Sequence, residues 1–113
     1  MRFAYETSSF FTYKGNSGVC IALKAPAIFT GERYPALCPK WSFLNKYFVD
    51  HDEAAYTAAY HEQVLDKLDP EKVWVDLHDK VLLCWEPAGK FCHRRLVADW
   101  LGDKLGVTVE ELC

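Results

Sequence analysis

The sequence predicts a three-layer α/β domain with a small, mainly parallel sheet, on three observations. Apolar runs of strand length alternate with amphipathic runs of helix length. Val81–Trp85 is apolar throughout, which is typical of a central strand covered on both faces. The chain order is strand, strand, helices, strand, helix, strand, and short right-handed connections then favour a parallel sheet of about four strands flanked by helices.

The first strands lie near the N-terminus. Arg2–Tyr5 and Val19–Leu23 have strand character, and the polar segment Lys14–Gly18 between them is typical of a turn. From residue 24 to residue 40 the chain carries residues that break regular structure, namely Pro26, Gly31, Pro35 and Pro39. We therefore expect a long surface loop there, of the kind that shapes functional sites.

Three helices are predicted before the central strand. Trp41–Phe48 forms a short aromatic helix, and Asp52–Leu68 has apolar residues at three- and four-residue steps. Asp69, Pro70 and Glu71 are an N-cap, a first-position proline and a first-turn acid, so the next helix runs from Pro70 to about Asp79. Two residues of the second helix, Tyr56 and Tyr60, lie one turn apart and are expected in the core.

The last helix has clear signals at both ends. It is predicted over Cys92–Leu105, ending at Gly106, the residue best suited to a left-handed C-cap. Phe91 and Leu96 have the spacing of a hydrophobic staple if Cys92 is the N-cap. Val107–Val109 adds an edge strand. Together these elements make one compact Rossmann-like domain over residues 1–113.

Composition excludes several classes of protein. The 113-residue chain has a net charge of -3 and no basic run longer than Arg94–Arg95, so general binding to duplex nucleic acid is not expected. It has no secretory signal and no apolar stretch of bilayer length, so we expect a cytoplasmic protein without membrane contact. Five scattered cysteines, an odd number, favour reduced thiols over a disulfide framework. Exposed Trp and Tyr leave a homodimer open.

The candidate site lies where the central strand leads into the last helix. Unpaired N–H groups and the helix dipole make this N-terminus attractive to anions, and the Arg94 fork could grip a phosphate or carboxylate. Cys92 in this field should be more acidic than a free thiol, with His93 as proton carrier and Glu86 as general base or ribose ligand. Strand ends in open α/β sheets are the usual place for ligands.

The same residues also have purely structural interpretations. Cys92 could be a small buried cap, and His93 could point away from it, because neighbouring helical side chains diverge by about 100°. Arg95 is expected to be a solvated surface charge, and His51, His61 and His78 to be exposed. Cys84 and Cys92 lack the close spacing of zinc ligands, which counts against a metal, and no arginine stands six positions after either cysteine, which disfavours a tyrosine-phosphatase mechanism.

The segments 82–86, 91–94 and 96–101 resemble the C-terminal signature of the domain of unknown function 488 (DUF488) family. Lys24–Pro26, Pro39–Trp41 and the helix after Tyr56 extend the resemblance to the short, single-domain members of bacteria and their phages. It implies an α/β fold with Glu86, Cys92, His93 and Arg94 in the characteristic site, but no established reaction. Longer members have a Gly-His-Ser turn where this chain has Glu6–Ser9, without the histidine; Thr7 and Ser8 still offer hydroxyls.

Three functions remain open at this level. The first is an enzyme that binds and processes a nucleotide- or nucleoside-type anion, with Glu86, Cys92 and His93 catalytic and a ligand-binding set of Thr7, Ser8, Lys24 and Arg94. The second is a binding protein that sequesters a nucleotide-derived signal without turnover. The third is a redox or metal-responsive regulator that uses the thiols of Cys84 and Cys92. No cofactor is expected.

Overall fold

The computed structural model describes residues 6–10, 13, 15, 17–27, 29–77, 79–86 and 91–111. Within these residues five strands form one parallel sheet in the order β3-β2-β4-β1-β5. The strands are β1 (Glu6–Ser9), β2 (Gly18–Cys20), β3 (Glu32–Arg33), β4 (Val81–Cys84) and β5 (Glu110–Glu111). The α/β class with a parallel sheet is therefore confirmed, and β4 is central and buried throughout, as its apolar sequence predicts.

Four α-helices lie in the described part of the chain: α1 (Trp41–Asp50), α2 (Glu53–Gln63), α3 (Pro70–Asp76) and α4 (His93–Leu105). Short 3₁₀ turns occupy Pro35–Leu37 and Leu65–Lys67. The predicted caps are present, since the Asp69 carboxylate accepts a hydrogen bond from the Glu71 N–H at 3.0 Å and Gly106 is left-handed with φ 67°.

Several boundaries differ from the predicted ones. Arg2–Tyr5 lies outside the described residues, and the first described strand follows it at Glu6–Ser9. β3 falls inside the predicted loop because a two-residue strand leaves no periodic signal. The last strand pairs through Glu110–Glu111 rather than Val107–Val109, and α3 ends at Asp76 rather than near Asp79, which has a positive φ of 62°.

The main core joins the sheet to the helices. Val19 of β2 and Leu82 of β4 lie in one buried cluster with Tyr60 of α2 and with Val97 and Leu101 of α4. Helix α4 contacts β1 and β4 as well as α2 and α3. This packing fixes the first turn of α4 beside the carboxyl end of β4, where the candidate site lies. Among the described residues no helix combines the length and the apolar character that crossing a bilayer requires.

Candidate functional site

The cysteines at the junction of β4 and α4 are bonded to each other. Cys84 is the last residue of β4, and Cys92 is the N-cap of α4, with extended backbone angles and no capping hydrogen bond from its side chain. The two form a disulfide with Cα atoms 7.4 Å apart. The expectation of reduced thiols is therefore wrong for this pair, because the fold brings the end of the strand and the start of the helix together. Cys20 and Cys38 are free, and Cys113 lies outside the described residues.

His93 is buried beside these sulfurs. Its Nε2 lies 2.7 Å from the carbonyl oxygen of Ile21, and a carbonyl can only accept, so Nε2 carries the proton and donates it. Nδ1 is then unprotonated and lies 3.8 Å from the Sγ of Cys92. Burial lowers the pKa of His93 to about 4, against the opposing effect of the Ile21 hydrogen bond, so the ring is neutral at pH 7. The side chains of Cys92 and His93 therefore face each other, and His93 does not point away from Cys92.

Arg94 is buried and its guanidinium already holds a carboxylate. Nε and Nη2 donate to the two carboxylate oxygens of Glu111, the shortest contact being 2.6 Å from Nη2 to Oε2. Nη1 donates to the Glu86 backbone carbonyl at 2.7 Å and to the Sγ of Cys84 at 3.2 Å. The fork expected to grip a ligand anion is therefore occupied by an anion of the same chain.

Arg95 and Thr7 complete this polar cluster, which we call the β5 latch (Thr7, Arg94, Arg95, Glu111). Arg95 Nη1 donates to the Thr7 hydroxyl at 2.9 Å and to the Val109 carbonyl at 3.0 Å, and the Thr7 hydroxyl donates to Glu111. Burial alone would raise the pKa of Glu111, but hydrogen bonds from Arg94 and Thr7 hold it below its usual value. The expectation that Arg95 is a solvated surface charge is wrong, because it ties α4 to the strand beside it.

A groove of about 680 Å³ opens over the carboxyl ends of β2 and β4. Helices α1 and α2 supply its opposite wall. Its most prominent lining residues are aromatic: Trp41, Tyr47, Phe48, Tyr56, Trp85 and Phe91. Trp41 and Phe48 are more than half exposed, so large apolar rings face solvent at this opening.

The charged residues of the groove are few and of mixed sign. Lys24 and His51 line it together with Glu53 and Glu86. Burial raises the pKa of Tyr56, and the negative charge of Glu86 raises it further. The expected electropositive cavity is not what forms, because the two arginines that would have made it positive belong to the β5 latch.

The structure gathers some of the sequence-predicted site residues and separates others. Lys24, Glu86, Cys92 and His93 line the groove. Thr7, Ser8 and Arg94 are buried and do not belong to its lining. Tyr56 and Tyr60 are buried as predicted, and Tyr56 also reaches the groove wall.

Some residues of the site are missed by sequence reasoning. Trp41 and Phe48 are seven residues apart, which places them on one face of α1 and was an available signal. Glu111 gives no local signal, because it lies 17 residues from Arg94. His51 is exposed, as expected, but lines the groove, and His61 is half-buried rather than exposed; His78 lies outside the described residues.

Comparison with known protein families identifies the family of this chain. A family model described as "DUF488-N3a: Active DUF488-N3 subclade" matches residues 22–105. The chain belongs to the DUF488 family. The resemblance seen in the sequence is thereby confirmed, and the match includes the groove residues from Ala22 to His93. No curated protein and no solved structure matches this DUF488 chain.

Proposed function

We propose that this DUF488 protein binds a small nucleoside- or nucleotide-type ligand in the groove and hydrolyses its glycosidic bond. The observation that carries the proposal is that six aromatic rings, the Glu86 carboxylate and the Cys92–His93 pair share one cavity of about 680 Å³. Small-molecule sites in proteins are about 300–1,000 Å³, mostly apolar, with a few convergent polar groups. The groove has these properties.

The aromatic wall favours a flat ligand. Trp41 and Phe48 of α1 lie edge to face, with ring centroids 6.4 Å apart, and both are exposed to solvent. An exposed Trp offers a stacking surface to any purine or pyrimidine, because every base has a π face. Stacking of a base on this wall also removes apolar surface from water.

The polar groups suit a ligand with hydroxyl donors and little charge. Glu53 and Glu86 are carboxylates, which accept hydrogen bonds from ribose hydroxyls or exocyclic amines. Lys24 is the cation that could meet one phosphate at the rim. In this proposal Arg94, Thr7 and Ser8 do not touch the ligand. Arg94 is a positioning residue that holds the Glu86 backbone and Cys84.

Glu86 is the residue best placed for the chemistry. Its carboxylate takes a proton from water as the water oxygen attacks the anomeric carbon, the C–N bond breaks with its electron pair on the base, and the proton passes on to that base. Cys92 has no thiolate to offer while it is bonded to Cys84, and neutral His93 can accept a proton at Nδ1. The word "active" in the description of the matched subclade favours turnover over binding alone.

Tryptophan fluorescence tests binding, since Trp41 and Trp85 line the groove. Adenosine, AMP and NAD⁺ serve as probes, and chromatography of the same mixtures detects released base. We expect saturable quenching by at least one probe, with Trp41→Ala weakening the affinity about tenfold, because stacking on one ring contributes about 1–3 kcal/mol. Val49→Ala is the matched control, an exposed residue of the same helix outside the groove lining.

Glu86→Gln separates the two parts of the proposal. It should abolish base release and leave the quenching intact, whereas Glu62→Gln on the exposed face of α2 should change neither. Binding of a probe with no base released by the unmodified protein would leave a sequestering protein and overturn the enzyme. Absence of quenching with all three probes would overturn the binding site.

A further inference from the structure

We propose that reduced Cys84 and Cys92, together with His93, form a three-ligand zinc site whose fourth coordination position opens into the groove. This inference does not depend on the ligand proposed above, because the metal is bound by the chain alone. The three side chains come from the end of β4, the N-cap of α4 and the first residue of α4.

The donor atoms are already gathered. The sulfurs of Cys84 and Cys92 and a ring nitrogen of His93 lie within 4.8 Å of one another. Nδ1 of His93 is 3.8 Å from the Cys92 sulfur, and two such donors on one tetrahedral zinc are about 3.6 Å apart. Two sulfurs on the same ion would stand about 3.8 Å apart, a separation that a Cα distance of 7.4 Å accommodates by side-chain rotation.

The hydrogen bond from His93 to Ile21 prepares the imidazole for a metal. Metal-binding histidines usually donate their second ring N–H to a carbonyl or carboxylate, which fixes the tautomer and aims the other nitrogen. Here Nε2 donates to the Ile21 carbonyl at 2.7 Å, and Nδ1 is the nitrogen on the side of the sulfurs. The hydrogen bond that usually orients a metal-binding histidine is therefore present in His93.

The charges around the three donors balance. Two thiolates neutralise one divalent cation, so the filled site would carry no net charge in a place where all three ligands are buried. The Arg94 guanidinium next to Cys84 does not oppose the ion, because Glu111 pairs with it. The 3.2 Å contact from Arg94 Nη1 to the Cys84 sulfur is also a donor that a thiolate ligand would keep.

The fold also explains why the spacing of Cys84 and Cys92 in the sequence counts against a zinc site. Close pairs of ligands are expected when one short loop supplies them, but here a strand end and a helix start meet in space. All three residues are buried, yet they line the groove. Zinc with three protein ligands and one open position is the arrangement of catalytic rather than structural sites.

Reduction must come before metal binding. A dithiol reductant breaks the S–S bond by donating two electrons and two protons, becoming a disulfide itself and leaving two thiols on the protein. Zn²⁺ then displaces both thiol protons into solvent as it forms two Zn–S bonds. The disulfide form therefore cannot bind the ion, and the oxidation state of the two cysteines decides whether the site can be filled.

Cobalt titration of the full chain tests the site. The protein is reduced with a phosphine under anaerobic conditions, freed of reductant and titrated with Co²⁺ and then with Zn²⁺, with no organic ligand present. We expect one Co²⁺ per chain, with the thiolate charge-transfer band and the visible bands of a tetrahedral ion, lost on displacement by Zn²⁺. If the protein releases no base, this cobalt spectrum is still expected. If the reduced protein binds no cobalt, base release by the oxidised protein is still expected.

Variants decide which residues hold the ion. Cys84→Ser and Cys92→Ser should each reduce the charge-transfer band by at least half, because each removes one of the two Co–S bonds. His93→Ala should change the visible bands and weaken binding. Cys38→Ser, which removes a free thiol outside the cluster, should bind as the unmodified chain does. Circular dichroism identifies any variant that fails to fold. If a cysteine variant does not fold, the oxidised unmodified protein, which has no thiolates at this site, replaces it as the control that should not bind Co²⁺. A tetrahedral spectrum in the oxidised protein, a spectrum unchanged in a folded cysteine variant, or no such spectrum in the reduced protein would each refute the site.

Discussion

The start of α4 has two sides with different roles. On one side Cys92 and His93 line the groove. On the other side Arg94 and Arg95 belong to the β5 latch, where Glu111 and the Thr7 hydroxyl take up their hydrogen bonds. Four consecutive residues are thus divided between a surface that faces an open cavity and a cluster closed on itself.

The contrast shows that a cation at a helix N-terminus need not be a ligand site. A buried guanidinium without an opposite charge is strongly destabilising, and the chain supplies Glu111 from β5 as its partner. The groove side lacks such a closure, since three of its aromatic rings, those of Trp41, Phe48 and Trp85, remain exposed in the structure. Of these two sides, the latch should therefore contribute more to stability, and the groove should contribute more to ligand binding.

The largest expected effect tests the latch. Glu111→Ala leaves Arg94 charged and buried without its partner, so the free energy of unfolding should fall by about 3 kcal/mol or more, measured by urea denaturation. Glu62→Ala, at an exposed position of α2, should change it by less than about 0.5 kcal/mol. Equal losses in the two variants would mean that the latch does not stabilise the fold.

A smaller effect concerns pH. Glu111→Gln keeps the shape but removes the charge, and should cost about 2 kcal/mol at pH 7, as expected for a hydrogen bond to a charged group. Because the folded protein holds the pKa of Glu111 below its unfolded value, this stabilisation is complete above the unfolded pKa and disappears as pH falls through the folded pKa. The difference between Glu111→Gln and the unmodified chain should therefore narrow as acid is added in denaturation series. A gap that widens in acid would contradict the lowered pKa.

The smallest effect is expected in the groove wall. Trp41 is 58% exposed, so Trp41→Ala should change the free energy of unfolding by no more than about 0.5 kcal/mol, even though the same variant is expected to weaken ligand binding. Chemical denaturation followed by circular dichroism makes this measurement without relying on the lost tryptophan. A loss as large as that of Glu111→Ala would remove the division between a stabilising side and a binding side.

Local signals in the sequence predicted most of the fold. The Asp69 cap, the start of α4 after Cys92 and its end at Gly106 are each decided by residues within one turn, and all are present. Phe91 and Leu96 pack against the same core cluster, as a staple requires. β3 and β5 could not be placed, because strands of two residues are defined by their partners in the sheet.

The site was predicted less completely, for a different physical reason. Its position at the β4–α4 junction follows from chain order, and Glu86, Cys92 and His93 do line the groove. The partner of Arg94 could not be found, because a carboxylate in β5 reaches it only through tertiary structure. The burial of Arg94 is likewise a property of the tertiary structure, and it is this burial that makes an internal carboxylate partner necessary.

The hydrogen bond between His93 and Ile21 has a geometric consequence for the opening. Ile21 leads directly into Ala22, Leu23 and Lys24, which line the groove, and Cys92 and His93 line it from the start of α4. The imidazole of His93 therefore fixes the distance between the start of α4 and the segment that follows β2. The width available to a bound molecule is set at this point by a rigid ring.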